Sequence, residues 1–253
     1  MDPKALDGIV AAAGLQPDDV VVEVGPGAGF LTARLLQTGA RVVAIEVDPV
    51  MVALLREHLG EPERLEVVNG DVLETDIAPL LARAGVNRCV VVGNLPYHIT
   101  TPALFSLLPE RRRIDRMVFT VQREVGARMA AGPGSKTYGA LSVAIAYAAQ
   151  CERLFGVGAG SFVPRPKVDS VVVRLTPVPA RLDPAAEARL FSLVRASFGQ
   201  RRKMLSNAVA EVAGGKEEAR AMLERAGIDG RRRGETLTLD EFISLVQAGG
   251  MNP

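Results

Sequence analysis

A chain of 253 residues, 48% hydrophobic and 23% charged, has room for one α/β domain and a small second one, with the composition of an ordinary globular protein. No apolar run reaches the ~18 residues of a membrane span, and Met1-Asp2-Pro3-Lys4 lacks the profile of a signal peptide, so a cytoplasmic protein with no membrane partner is expected. The net charge of +1 does not announce nucleic-acid binding, yet basic residues cluster at Arg111-Arg112-Arg113, Arg201-Arg202-Lys203 and Arg231-Arg232-Arg233, while acids dominate 57–76.

Asp2-Pro3, the spacing of Leu6, Ile9, Val10 and Ala13, and then Gly14 predict a capped helix with a proline start and a glycine stop. Residues 20–24 read as a strand, 25–29 as a tight glycine loop and 30–37 as a helix. A second strand, 41–45, ends in Glu46, and Asp48-Pro49 caps a helix that places His58 at its end, where the dipole favours it. A third strand, 65–68, ends in Asn69-Gly70-Asp71, and a short helix follows around 79–84. The apolar run 89–93 is a buried strand leading into Asn94-Leu95-Pro96-Tyr97, with Thr101-Pro102 as cap and first residue of the next helix. Further strands are expected at 117–121, 151–157 and 168–175, and helices at 124–129 and 139–149. Cys89 and Cys151 sit in strand-like runs without metal-ligand spacing and read as reduced core thiols. This alternation predicts an α/β fold with a doubly wound, mostly parallel sheet.

After Pro177-Val178-Pro179 no strand pattern recurs. Residues 184–198, 203–212, 217–226 and 239–247 carry helical spacing, the last opened by the capping box Thr238 and Glu241. The expected organisation is a first domain over 1–178 and a small all-helical domain over 179–253.

Glu23-Val24-Gly25-Pro26-Gly27-Ala28-Gly29 follows a strand and opens a helix. A dinucleotide fingerprint has the spacing G-x-G-x-x-G; here it is G-x-G-x-G, and Phe30 stands where the third glycine belongs. That argues against a pyrophosphate-bearing cofactor. An acid followed by this glycine spacing resembles motif I of S-adenosylmethionine-dependent methyltransferases, which implies that Gly25, Gly27 and Gly29 accommodate the amino-acid portion of that methyl donor. Glu46 can take both ribose hydroxyls, Asp71 can accept from the adenine amine of the cofactor, and Val72 can cover its ring. One strand-ending acid is as often a cap or a solvated turn; acids at the ends of consecutive strands are harder to explain structurally.

An exocyclic adenine amine is a poor nucleophile because its lone pair is delocalised into the ring. The side-chain oxygen of Asn94 and the carbonyl of Leu95 can hold both N–H bonds and free that pair. Pro96 fixes the backbone, and Tyr97 offers a face for stacking. Charge is dispersed in such a transfer, so positioning does most of the work and no metal is needed. The base must first leave any stack. An Asn-Pro turn beside a core tyrosine is the bland alternative.

Asn-x-Pro-Tyr marks amino-methyltransferases in general. The ordered set Glu23 to Gly27, Asn94 to Thr100, Val121 to Val125, Phe162 to Ser170 and Phe198 to Lys203 closely resembles the small-subunit ribosomal RNA adenine dimethyltransferase family, the kasugamycin-sensitivity enzymes, from about Pro3 to Leu245. The resemblance implies a Rossmann-like class I fold and dimethylation at N6 of two adjacent adenines in the 3′-terminal hairpin of 16S rRNA, late in small-subunit assembly. It carries cofactor contacts onto Gly25, Glu46, Asp71 and Asn94. Family members also carry a Phe-Gly-Gln-Asn-Phe-Leu segment just before the helix that starts here at Pro3, and weakened cofactor binding is expected of a chain without it. In the family, the loop Phe162-Val163-Pro164-Arg165-Pro166 lines the target-base pocket, making Phe162 a candidate stacking partner opposite Tyr97; the other reading is a core phenylalanine anchoring a loop.

Arg195, Arg201, Arg202 and Lys203 suit the phosphates of a folded ribosomal hairpin. Arg231-Arg232-Arg233 reads as a solvated face, and His98 as part of the site rim. A monomer acting on the assembling small subunit is expected. The rivals are the related group that modifies one large-subunit adenine and confers macrolide resistance, a non-catalytic RNA-binding factor, and a dehydrogenase, against which Phe30 counts.

Overall fold

In the computed structural model, which describes residues 1–60, 62–97 and 99–249, Asp2 opens helix α1 (Pro3–Ala13) by accepting hydrogen bonds from the Lys4 and Ala5 amides. The rim residue His98 lies outside the described residues. Gly14 closes α1 in the left-handed conformation, donating to the Val10 and Ala11 carbonyls. The Arg116 guanidinium finishes the cap by donating to the carbonyls of Ala13 and Gly14.

The chain then runs β1 (Val20–Val24), α2 (Phe30–Gln37), β2 (Arg41–Glu46), α3 (Pro49–Leu59), β3 (Leu65–Asn69), α4 (Ile77–Arg83), β4 (Cys89–Asn94) and α5 (Thr100–Leu107). It continues through β5 (Ile114–Gln122), α6 (Arg123–Met129), α7 (Ala140–Ala148), β6 (Ala149–Val157) and β7 (Ser170–Pro177). The sheet order is β3-β2-β1-β4-β5-β7-β6; the first five of these strands run parallel, and β7 is antiparallel to both its neighbours, β5 and β6. This is the doubly wound, mostly parallel α/β sheet expected from the alternation of apolar runs. The strands of an inner parallel sheet are covered on both faces, and β1 is accordingly buried at all its positions. Helix α5 begins earlier than Thr101-Pro102 suggested, because Ile99 N–H and Thr100 Oγ1 both donate to the Pro96 carbonyl and close the turn there.

Two compact units emerge: 1–126 with 148–178, and 127–147 with 179–253. The first buries a cluster that includes Leu6, Ile9, Leu35, Val42, Val92 and Val172. Gly8 brings α1 close to β6, since a Cβ there would stand 2.7 Å from the Phe155 ring.

The second unit holds α8 (Pro184–Gly199), α9 (Leu205–Ala208), α10 (Ala210–Ala213), α11 (Lys216–Arg225) and α12 (Leu239–Gly249). The single helix expected over 203–212 is two short ones, parted at Val209 (φ −95°, ψ 0°). The box that opens α12 is reciprocal: Glu241 N–H donates to Thr238 Oγ1, and Thr238 N–H to Glu241 Oε2. Segment 127–147, read from sequence as part of the first domain, belongs to this unit, and the reason is side-chain chemistry. Tyr138 donates to the Leu237 carbonyl (2.9 Å) and sets its ring edge-on to Phe198. Tyr147 donates to Glu187 (3.1 Å) and lies edge-on to Phe191. Among the described residues, no helix is long and apolar enough to cross a membrane.

Both cysteines are free thiols. Burial pushes the Cys89 thiol up to about 12 and the Cys151 thiol up to about 11, which leaves neither reactive at neutral pH.

Candidate active site

The carboxyl edge of the sheet sets the site. Strand register aligns Val24 with Ile45 and with Gly93, so the next residues, Gly25, Glu46 and Asn94, lie side by side along one rim. Glu46 pairs onward with Asn69, and Asn94 with Thr120. In open α/β sheets this rim is where ligands bind.

Gly25, Gly27 and Gly29 all have positive φ, which only glycine adopts without strain. Their surroundings differ. A Cβ on Gly29 would meet Leu59 at 3.0 Å and Leu55 at 3.4 Å, so this glycine lets the loop pack on α3. A Cβ on Gly27 would meet nothing within 4 Å, so Gly27 borders open space.

Glu46 braces this loop. Its Oε2 accepts from the Gly27 amide (3.0 Å) and its Oε1 from the Asp48 amide (3.0 Å). Each carboxylate oxygen has two acceptor sites, so one on each remains for a diol. His58 supports the same loop by donating from Nδ1 to the Ala28 carbonyl (2.8 Å), and its ring lies 5.3 Å from that of Phe30. A carbonyl can only accept, so this nitrogen carries the proton. Asn69 ties β3 to the turn after β2 through the carbonyls of Glu46 (2.8 Å) and Val47 (3.2 Å). Asp71 lies just beyond β3 and turns its own backbone, accepting from the Leu73 amide (2.9 Å), while Val72 beside it is buried. His58 and Asn69 carry no sequence signal for these roles beyond their places at element ends.

Glu23 lies beneath this rim, fully buried, with Oε2 lacking a hydrogen-bond partner among the described residues. Burial raises its pKa from 4.5 to about 7; the Thr32 hydroxyl opposes the shift and the Glu46 charge adds to it.

Asn94 ends β4 half-buried, and its amide makes no hydrogen bond among the described residues. Leu95 is buried, Pro96 is exposed, and the half-buried Tyr97 joins its hydroxyl to Ser170 Oγ (2.9 Å) at the start of β7. Gly93 lets β4 approach β1: a Cβ there would stand 2.8 Å from the Val24 carbonyl oxygen and 3.2 Å from Leu95. Because backbone cannot swing aside, Gly93→Ala is expected to destabilise the protein by about 2 kcal/mol, the scale of an overpacked core site. Urea unfolding measures this, and an unchanged midpoint refutes it.

Phe162 is half-buried against the core cluster, beside the turn whose Ser161 carbonyl accepts from the Asp2 amide (2.7 Å). No ring contact joins it to Tyr97 among the described residues; two rings that flank a base stand apart, so its packing on the core is compatible with either role.

In the helical unit, Arg201 is held by Glu235 (3.0 Å) and by the Tyr138 carbonyl (3.4 Å), while Arg202 and Lys203 are exposed. Arg195 touches Ser192 (3.2 Å) on α8. Backbone bonds from the Leu205 amide to the Arg232 carbonyl and from the Ser206 amide to the Gly230 carbonyl draw the Arg231–Arg233 run beside this cluster. Arg231 is solvated, as its sequence suggested, and pairs with Asp229 (3.0 Å). Arg232 instead is half-buried and gripped by Glu241.

Strand order and a glycine loop leading from the first strand into a helix together define a class I S-adenosylmethionine-dependent methyltransferase fold. The model of the family described as ribosomal RNA adenine dimethylase matches residues 1–248. The chain belongs to that family. It is 41% identical over 251 residues to a ribosomal RNA small subunit methyltransferase A of Alkaliphilus metalliredigens, covering 98% of this chain and 88% of the relative. It is 44% identical to the protein of that name from Myxococcus xanthus, covering 98% and 87%. Among solved structures, a dimethyladenosine transferase from Plasmodium falciparum superposes with a TM-score of 0.78 at 27% identity, covering 96% of this chain and 94% of that one. The 23S rRNA methyltransferase ErmE superposes with a TM-score of 0.69 at 28% identity, covering 99% of both.

Proposed function

We propose that this enzyme transfers methyl groups from S-adenosylmethionine to N6 of two adjacent adenines in the 3′-terminal hairpin of 16S rRNA, acting as a cytoplasmic monomer on the assembling small subunit. The observation that carries the reading is the Asn94 side chain, a polar amide without a partner among the described residues, on the same rim as Gly25 and Glu46.

The rim fits this donor by its charge. Glu46 and Asp71 make it acidic, which suits a cationic, phosphate-free cofactor and disfavours a pyrophosphate. Gly25, Gly27 and Gly29 shape the loop, Glu46 takes the ribose hydroxyls, and Asp71 with Val72 frames the adenine. When bound, the cofactor supplies an electrophilic methyl group on a sulfonium. The Asn94 oxygen and the Leu95 carbonyl accept the two N–H bonds of the target amine, which turns its lone pair toward the reacting carbon. Pro96 holds that turn, and Tyr97, tethered through Ser170, presents its ring to the base. Phe162 serves by fixing the 162–168 loop. Arg195, Arg201, Arg202 and Lys203 grip ribosomal RNA from the helical unit through its phosphates.

Methylation of immature small and large ribosomal subunits in parallel tests the reading. Label is expected in 16S rRNA from small subunits alone. Label confined to the large subunit overturns it.

A further inference from the structure

A groove in the first unit lies beyond the rim, where β5 gives way to α6 and β7 pairs with the edge strand β6. Arg123, Arg153, Leu154, Phe155, Ser170 and Val171 line it, and its volume is about 460 Å³. Two arginines share this space. Arg123 pairs with Asp169 (3.3 Å), which is itself engaged by the Ala159 amide (3.0 Å). Arg153 makes no hydrogen bond or ion pair among the described residues. Glu152, beside it in the chain, is taken by Arg174 (2.6 Å), so the Arg153 charge enters the groove without an ion pair among the described residues.

The place of this charge is as telling as its sign. Ser170 lines the groove and also holds the Tyr97 hydroxyl, so groove and target-base turn share a residue. Strands lie ~4.8 Å apart, which puts β7 roughly 10 Å from β4. β6 bulges here: Arg153 pairs with Val173 and Phe155 with Val172, leaving Leu154 as the extra residue. Bulges re-aim side chains and cluster beside functional sites.

We propose that Arg123 and Arg153 form a phosphate clamp for the RNA strand that adjoins the target adenine. The proposal rests on the reading of Asn94 to Tyr97 as an RNA-adenine site. A guanidinium matches a phosphodiester with two parallel N–H bonds, and such contacts fix a strand without reading its sequence. Taking a base out of its stack costs a few kcal/mol, and a strand clamped next to that base keeps it within reach of Asn94.

Arg153 is the residue to change, because its side chain makes no hydrogen bond or ion pair among the described residues. Arg153→Ala, Arg153→Glu and Arg153→Lys are compared with the unaltered full chain on the 16S hairpin RNA. For Arg153→Ala, KM for RNA is expected to rise about tenfold, the effect of one lost charge-assisted hydrogen bond. The slope of log affinity against log salt is expected to flatten by about 0.7. Arg153→Glu exceeds both effects and Arg153→Lys recovers part, while kcat, cofactor affinity and melting temperature stay unchanged. An unchanged KM and salt slope in Arg153→Ala and Arg153→Glu, with methylation of small-subunit RNA intact, overturn the clamp alone. A chain that binds this RNA through Arg153 but methylates none of it keeps the clamp and overturns the function proposed above. A chain that does not bind the RNA overturns both.

Discussion

Replacing Asn94 with alanine is expected to lower the single-turnover methylation rate by about 10²–10³-fold, the usual effect of deleting one preorganised polar group aimed at a reacting atom. The size follows from where the side chain stands. It ends a buried strand whose register is fixed on both sides, by β1 and by β5. Its side-chain amide bonds no other described residue, so the melting temperature should hardly move. A deletion that removes rate without removing stability is the mark of a group reserved for substrate. Asn94→Asp keeps an acceptor and should retain more activity than Asn94→Ala. A rate for the alanine variant within threefold of the unaltered enzyme overturns the role assigned to Asn94.

The second large effect concerns stability and pH. In the folded protein, burial holds the Glu23 carboxyl at about 7, against 4.5 when solvated. Between those values the unfolded chain has released the proton and the folded one still binds it, so stability falls as pH rises through this window. Below pH 4.5 there is no penalty; above pH 7 it is complete, on the order of 3 kcal/mol at ~1.4 kcal/mol per pH unit. Glu23→Gln removes the titration. Its stability relative to the unaltered protein should therefore climb between pH 4.5 and 7 and level off above. Urea unfolding across that range measures the difference, and a gap that does not vary with pH overturns the assignment.

Much of this was legible in the sequence because each signal was local. Gly25, Glu46 and Asn94 could be placed at strand ends from the apolar runs that precede them, and parallel pairing then aligns strand ends by itself. Asp2, Gly14 and Thr238 with Glu241 announce helix ends through bonds that span no more than a turn. What stayed hidden depends on contacts between distant segments. Nothing near Gly93 says that a carbonyl of β1 will press against it. The double use of Glu46, bracing the Gly27 amide as well as ending its strand, needs the loop and the turn to be seen together. Phe162 packs on a core cluster assembled from many elements, a contact that its own sequence surroundings do not show. The start of α9 at Leu205 is fixed by tertiary bonds that seat Leu205 and Ser206 beside 230–232. Periodicity alone could not show it.

Segment 127–147 changes what can be separated. The peptide chain passes between the two units three times, after 126, after 147 and after 178. Clipping by a protease near 178 would leave 127–147 on the chain of the first unit, with 179–253 held to that segment by packing alone. Nor can the helical unit be expressed as one uninterrupted piece, because residues 179–253 lack Tyr138 and Tyr147, whose hydroxyls bond Leu237 and Glu187. A fragment ending at 178 carries the converse fault, with both tyrosines stripped of their partners. Each unit is compact, but the gene encodes them interleaved.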